Sequence, residues 1–165
     1  MKKIRPCKEN YYLNIAEAVS KRGTCLRRNY GAVIVKNDEI IATGYNGAPR
    51  GKDNCIDLGI CYRENENIKS GTQYEKCRSV HAEMNAIISA ARKDMLNSTL
   101  YLVGIESKND SKYVPNTKPC LICQRLIINA GIKKVVVRLN ENKFKEIKVE
   151  NIKIPISNNK NQKIF

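Results

Sequence analysis

The single histidine of this 165-residue chain and two of its seven cysteines have the spacing of a metal site. His81 lies two residues before Glu83, and Pro119 is followed by Cys120 and Cys123, whose thiols lie three positions apart and thus on one helical face. An imidazole and two thiolates suit zinc, and three protein ligands with the fourth tetrahedral position left for water are typical of a catalytic site. The spacing therefore predicts a catalytic zinc held by His81, Cys120 and Cys123.

Glu83 is predicted to act beside the metal and not on it. Two helical positions rotate the side chain by about 200°, so Glu83 and His81 cannot point at one atom, although both can line a cavity at the helix end. A carboxylate placed there can take a proton from a water and pass it on, while zinc lowers the pKa of that water towards about 7. The order H-x-E and then P-C-x-x-C is the signature of zinc nucleobase deaminases. A half-buried histidine without a role is the structural alternative for His81.

Hydrophobic periodicity predicts the elements that position these residues. We expect a three-layer α/β/α domain over residues 1–165, with a central mixed sheet of about five strands and a frayed tail at about 157–165. Because only a short turn separates the last two strands, they should be antiparallel. The predicted helices cover 10–22, 81–93 and 120–132, and the predicted strands cover 30–36, 39–45, 99–105, 133–139 and 144–154.

Two stretches lack such periodicity. Residues 44–79 are rich in glycine and hold Cys55, Cys61 and Cys77, and residues 106–118 form a polar insertion ahead of Pro119. Structureless stretches as long as the first are usually functional or disordered.

Charge and composition limit the partners without selecting a function. The net charge of +14 favours an anionic partner, either a phosphorylated small molecule or a nucleic acid, although a solvated lysine coat explains it as well. No apolar run is long enough for a membrane helix or a signal peptide, so we expect a cytoplasmic protein. In that compartment an odd number of cysteines favours metal binding over a disulfide framework.

Three segments together resemble the cytidine and deoxycytidylate deaminase superfamily, and within it the deoxycytidylate (dCMP) deaminases. They are GAVIVKNDEIIATGYNGAPRG, HAEMNAI and PCLICQRLIINAGIKKV, and the resemblance runs from about residue 11 to residue 138. It implies a cytidine deaminase-like fold and the zinc-dependent hydrolysis of dCMP to dUMP and ammonia. By that analogy an activated water attacks C4 of the pyrimidine, while Glu83 moves a proton to N3 and then to the leaving amine.

The same resemblance implies further site residues. Asn46 would contact the deoxyribose, backbone groups near Ala82 would hold the base, and Arg27 or Arg28 would reach the 5′-phosphate. Relatives assemble, so a homo-oligomer is expected. Some phage and bacterial relatives carry a second, structural zinc, and similar residues here are Cys25, Cys55, Cys61 and Cys77, with Cys7 outside both sites.

Other functions remain open from the residues alone. A deaminase of tRNA or single-stranded nucleic acid would share His81, Glu83, Cys120 and Cys123, but few aromatic residues accompany the basic ones for base stacking. A deaminase of free (deoxy)cytidine would need no phosphate contact. A non-enzymatic, zinc-stapled nucleic-acid-binding module would need a fourth protein ligand beside Cys120, and a Cys-His hydrolase would leave Glu83 without a role.

Overall fold

A computed structural model describes residues 5–154 of the chain, and its strands form one mixed sheet. The strand order is β2-β1-β3-β5-β6, with β4 beside β3. Strand β3 pairs parallel with β5, and the other pairs are antiparallel. The bounds are β1 Arg28–Lys36, β2 Glu39–Tyr45, β3 Thr99–Glu106, β4 Asn109–Tyr113, β5 Lys134–Arg138 and β6 Phe144–Lys148.

Helices cover both faces of the sheet, which confirms the predicted three-layer α/β/α architecture. Alternate residues of the central strands face opposite layers: Val33 packs with Leu13 of α1, whereas Ala32 packs with Ala86 of α4 and Ile127 of α6. No helix among residues 5–154 has the length and apolar composition needed to cross a membrane. The helices are α1 Lys8–Ser20, α2 Cys55–Leu58, α3 Tyr62–Asn65, α4 Ala82–Ile88, α5 Arg92–Met95 and α6 Leu121–Ala130, with 3-10 turns at Tyr74–Lys76 and Val149–Asn151.

Helix α4 lies against β2 at Gly44. A Cβ at this position would lie 2.3 Å from the carbonyl oxygen of Ala82 and 2.3 Å from the amide nitrogen of Ala86. Only a residue without a side chain permits that approach. Gly44 thereby permits the close approach of the helix that carries Glu83 and is capped by His81.

The predicted helix over 81–93 is wrong in its second half. Helix α4 ends at Ile88, and Ala91 is extended before α5 begins at Arg92. Ser89 donates a hydrogen bond from its hydroxyl to the carbonyl oxygen of Asn85 at 2.7 Å, and a serine that bonds the backbone in this way competes with helix continuation.

The polar insertion 106–118 is not entirely irregular. It turns back on β3 and adds β4, in which Tyr113 pairs with Ile105. The sheet therefore has six strands where about five were predicted.

The last two strands are antiparallel as predicted, with Val136 opposite Glu146. Strand β6 ends at Lys148, and a 3-10 turn follows where a strand to residue 154 was predicted. The predicted frayed tail at 157–165 lies outside the described residues.

Candidate metal centre and active site

His81, Cys120 and Cys123 converge at the N-terminal ends of two neighbouring helices. His81 is the N-cap of α4, Cys120 is the N-cap of α6, and Cys123 lies in the first turn of α6. The Nδ1 atom of His81 lies 3.4 Å from the Sγ atom of Cys120 and 3.4 Å from that of Cys123. The three ligand atoms all lie within 4.8 Å of one another.

This geometry fits zinc. Zn–S bonds of 2.3 Å and Zn–N bonds of 2.0 to 2.1 Å at tetrahedral angles place nitrogen and sulfur about 3.5 Å apart. The two nitrogen-to-sulfur distances of 3.4 Å agree with that value. The donor set of one imidazole and two sulfurs, with room for a fourth ligand, belongs to the catalytic class of zinc site.

The two thiols differ in how readily they ionise. The hydrogen bond with Cys123, together with that to His81, holds the pKa of Cys120 well below its usual value. The same pairing with Cys120, together with burial, raises the pKa of Cys123. One thiol is thus prepared to ionise, and a bound cation would stabilise the second thiolate.

Glu83 is buried beside these ligands. Its side chain is on the first turn of α4, and the residue is only 5% exposed. Burial raises the pKa of its carboxyl, and the charge of His81 partly offsets that effect. A carboxyl with a raised pKa binds a proton more readily than usual, as a group that transfers protons must.

A cavity of about 130 Å³ opens at these residues. Its lining includes every residue that the sequence singled out except Cys123, which is fully buried: His81, Ala82, Glu83, Asn46, Arg27, Arg28, Cys25, Cys55, Cys61, Cys77 and Cys120. The predicted residues therefore meet around one space.

The side chain of Asn46 holds the start of β1. Its Oδ1 accepts a hydrogen bond from the amide of Tyr30 at 2.7 Å, and its Nδ2 donates to the carbonyl oxygen of Arg28 at 2.8 Å. Both ends of the amide thus have backbone partners. The predicted contact with a deoxyribose would use capacity that remains on these atoms.

Arg27 and Arg28 are partly exposed at the cavity wall. The Nε atom of Arg27 lies 3.6 Å from a carboxylate oxygen of Glu64, and that of Arg28 lies 3.3 Å from one of Glu106. Each guanidinium has five N–H donors, so such a contact leaves donors for a phosphate.

The second cysteine group, which comprises Cys25, Cys55, Cys61 and Cys77, lines the cavity without closing around one point. Within residues 5–154, His81, Cys120 and Cys123 are the group of three or more whose ligand atoms lie close enough to share an ion. Burial raises the pKa of the Cys55 thiol, and the neighbouring thiolates of the group raise it further.

The sequence analysis missed several residues of the cavity. Tyr30 lies opposite Gly104 of β3, and its ring fills the space that a Cβ at Gly104 would need, at 2.5 Å. The alternation of β1 already placed Tyr30 on the face of Ala32 and Ile34. No periodic signal marked the others, which are Tyr62, Arg63, Ser70, Tyr74, Arg78, Ser79 and Lys118.

Comparison with known proteins shows the family. The family model described as the cytidine and deoxycytidylate deaminase zinc-binding region matches residues 6–139. The chain belongs to this family. It is 36% identical over 137 residues to the deoxycytidylate deaminase of Mycobacterium phage D29, covering 80% of this chain and 94% of the relative.

A longer curated relative and a solved structure agree. The deoxycytidylate deaminase of Schizosaccharomyces pombe is 35% identical over 140 residues, and the match covers 85% of this chain but only 39% of that protein. This chain thus spans about two fifths of the length of that relative. The dCMP deaminase of cyanophage S-TIM5, solved in complex with dCMP and dUMP, superposes with a TM-score of 0.58 at 28% identity, covering 84% of this chain and 85% of that one.

Proposed function

We propose that this protein catalyses the hydrolytic deamination of dCMP to dUMP and ammonia. The observation that carries the proposal is the convergence of His81, Cys120 and Cys123 beside the buried Glu83, in a cavity whose wall holds arginines. The similarity to deoxycytidylate deaminases supports the choice of substrate.

His81, Cys120 and Cys123 would hold the zinc ion. When bound, zinc supplies a Lewis acid that lowers the pKa of a water molecule close to the substrate. The chain contributes the ligand geometry, because the ends of two packed helices position the three side chains. The partial positive charges at the N-terminal ends of α6 and α4 also favour thiolates over thiols.

Glu83 would transfer the protons of the reaction. It accepts a proton from the attacking water as the oxygen adds to C4, and it delivers a proton to N3 of the ring. It then moves the second proton to the departing amine, so that water and dCMP leave as dUMP and ammonia. Burial serves this role because the raised pKa of Glu83 lets the carboxyl both hold and release a proton.

The arginines at the start of β1 would bind the 5′-phosphate. Arg27 and Arg28 line the same cavity as Glu83, and the guanidinium fork matches phosphate oxygens. Backbone groups at Ala82 would hold the base, and Asn46 would contact the sugar as it fixes β1.

A second, structural zinc is proposed at Cys25, Cys55, Cys61 and Cys77. All four cysteines line the same cavity, and Cys25, Cys61 and Cys77 lie near enough to Cys55 to act on its thiol electrostatically, which supports the proposal. The four thiols would have to draw together around the ion, and the gain would be the fixing of a segment that has only short helical turns.

The test of the main proposal is ammonia release by purified protein with dCMP, deoxycytidine, CMP and a tRNA anticodon stem-loop. We expect turnover of dCMP with dUMP as product, and none in Glu83→Ala. Arg27→Gln and Arg28→Gln should raise KM for dCMP, whereas Arg22→Gln, a substitution outside the cavity, should not. Turnover of the stem-loop alone would replace dCMP by RNA as the substrate, and turnover of deoxycytidine equal to that of dCMP would remove the phosphate contact.

A homo-oligomeric state and a cytoplasmic location stay predictions of the sequence. The exposed apolar side chains of Ile88, Leu121 and Ile128 on α4 and α6 are compatible with self-association, which sedimentation velocity would measure directly.

A further inference from the structure

The ring of Tyr74 packs against the imidazole ring of His81. Its centroid lies 4.8 Å from that of His81, with the two ring planes at 88°. This is the edge-to-face arrangement that aromatic pairs favour. Both rings line the cavity, so they form two perpendicular walls of one corner.

The guanidinium group of Arg63 packs on the ring of Tyr74. The side chain of Arg63 is 4% exposed, and its guanidinium carbon lies 4.9 Å from the centroid of the Tyr74 ring. One terminal nitrogen donates to the carbonyl oxygen of Gln73 at 2.7 Å, and the other donates to that of Lys69 at 2.9 Å. Burying a charged guanidinium is costly, and these carbonyl oxygens compensate it.

The backbone at Gln73 needs such support. This residue has φ 48° and ψ 47°, a left-handed conformation that is uncommon for a side chain of its kind. Arg63 binds the carbonyl oxygen of Gln73 and so fixes the peptide that leads into Tyr74. The planar fork of arginine can bond two carbonyl groups and stack on a ring at once, which the single ammonium of a lysine cannot.

We infer that Tyr74 is a substrate-positioning residue whose ring forms the wall against which the pyrimidine is held beside His81 and Glu83, and that Arg63 acts through it. This inference rests on the proposed function. For C4 to meet the attacking water, the base must enter the corner at His81. Enzymes that act on a nucleobase hold it between aromatic and apolar side chains, and Tyr74 is the aromatic ring in contact with His81.

The hydroxyl group of Tyr74 has no part in this role. The ring itself is the contact, so Tyr74→Phe should work as the unaltered protein does. Stacking on an aromatic side chain contributes about 1 to 3 kcal/mol per base by substitution, which corresponds to roughly a 5- to 150-fold change in affinity.

The experiment measures kcat, KM for dCMP and zinc content for Tyr74→Leu, Tyr74→Phe, Arg63→Lys and the double variant Tyr74→Leu/Arg63→Lys. We expect Tyr74→Leu to raise KM about tenfold or more, with a smaller change in kcat and unchanged zinc content. Arg63→Lys should raise KM by a smaller factor. Because Arg63 acts through the ring, the double variant should be no worse than Tyr74→Leu alone.

Control variants distinguish the loss of the contact between Tyr74 and the base from a defect in folding. Glu75→Gln alters an exposed neighbour in the same 3-10 turn and should leave kcat and KM unchanged. Tyr74→Met keeps an apolar side chain of useful length and replaces Tyr74→Leu if the latter fails to fold. Calorimetric titration with the product dUMP reports binding without turnover and should weaken in step with KM.

Several results would overturn the inference. They are an unchanged KM in Tyr74→Leu, a loss of zinc in that variant, which would make Tyr74 a support for His81 only, and additive effects in the double variant. Absence of dCMP turnover in the unaltered protein is a different result, because it removes the proposed function and not the wall alone.

Discussion

The two groups of cysteines around the cavity differ in how the fold presents them. Cys120 and Cys123 belong to a helix packed on the sheet, and with His81 they already stand at ligand distances. The second cysteine group comes from the segment before β1 and from short helical turns, and it shares the cavity wall without reaching such distances within the described residues. One site is thus preorganised by the packing of its helices, whereas the residues of the other come from segments with only short helical turns.

The physical cause is what each segment rests on. Helices α4 and α6 bury Ala82, Ala86 and Ile127 in the core, so their N-terminal ends have fixed positions. The segment around Cys55 and Cys61 is instead held by polar contacts such as that of Arg78 with the carbonyl oxygen of Asp53 at 2.6 Å. A loop of this kind is the low-stability end of a fold, where a metal contributes most.

The largest expected effect lies at the preorganised site. Glu83→Gln keeps the shape of the side chain and removes its proton transfer, so kcat for dCMP should fall by about 10²- to 10⁴-fold. Zinc content should not change, because Glu83 is not a ligand. Steady-state kinetics with metal analysis checks both, and a variant that retains its rate would exclude Glu83 as the proton-transfer group.

Displacing the helix that carries Glu83 should lower kcat less than removing the carboxyl group of Glu83. Gly44→Ala places a Cβ 2.3 Å from backbone atoms of α4, and such overpacking costs typically about 1 to 3 kcal/mol of the free energy of unfolding. Urea unfolding would measure that loss, and kcat should fall as His81 shifts. Thr43→Ala changes the exposed neighbour on β2 and should alter both values much less. Equal stability of Gly44→Ala and the unaltered protein would show that α4 can move freely.

The second cysteine group should respond locally. The protein as purified should carry two zinc ions per chain, and Cys55→Ser should carry one and be cleaved faster by protease between residues 53 and 79. Turnover of dCMP should persist, since the catalytic ligands are intact. Cys7→Ser removes an exposed thiol outside both groups and serves as the matched control. A single zinc in the unaltered protein would remove the structural site.

The smallest expected effect concerns β4, the strand formed by the polar insertion. Neither cysteine group takes part in it. Burial, and then the hydrogen bond to Glu17 at 2.8 Å, raise the pKa of Tyr113 to about 12 from 10.0. Since the folded-state pKa is the higher one, the stabilisation is fully present below pH 10 and is lost as the pH rises towards 12. Tyr113→Phe should therefore flatten part of the decline in unfolding free energy over this range, as followed by urea titrations at each pH. Tyr11→Phe, at an exposed ring, should keep the full slope, and so should Tyr113→Phe if the hydroxyl ionises equally in both states.

The sequence alone predicted the donor set of the candidate metal centre and the main elements of the fold. The ligand set could be predicted because the residue types and the spacing from Cys120 to Cys123 are local. In addition, His81 and Cys120 immediately precede helices whose periodicity is clear. The antiparallel final strands follow from the few residues between them, since a parallel pair would need a longer crossover.

The structure decided those features that hydrophobic periodicity does not mark in the sequence. The end of α4 at Ile88 is accompanied by a local contact, the hydrogen bond from the Ser89 hydroxyl to the carbonyl oxygen of Asn85, which hydrophobic periodicity does not record. Strand β4 forms because the end of β3 extends beyond its pairing with β5 and offers an edge to a polar segment with no strand pattern of its own. The corner built by Arg63, Tyr74 and His81 joins residues from an irregular loop to a helix end. Contacts of this kind depend on where the packed sheet and helices place segments that are distant in the sequence. A pattern of residues along the chain does not show which of these segments lie close in space.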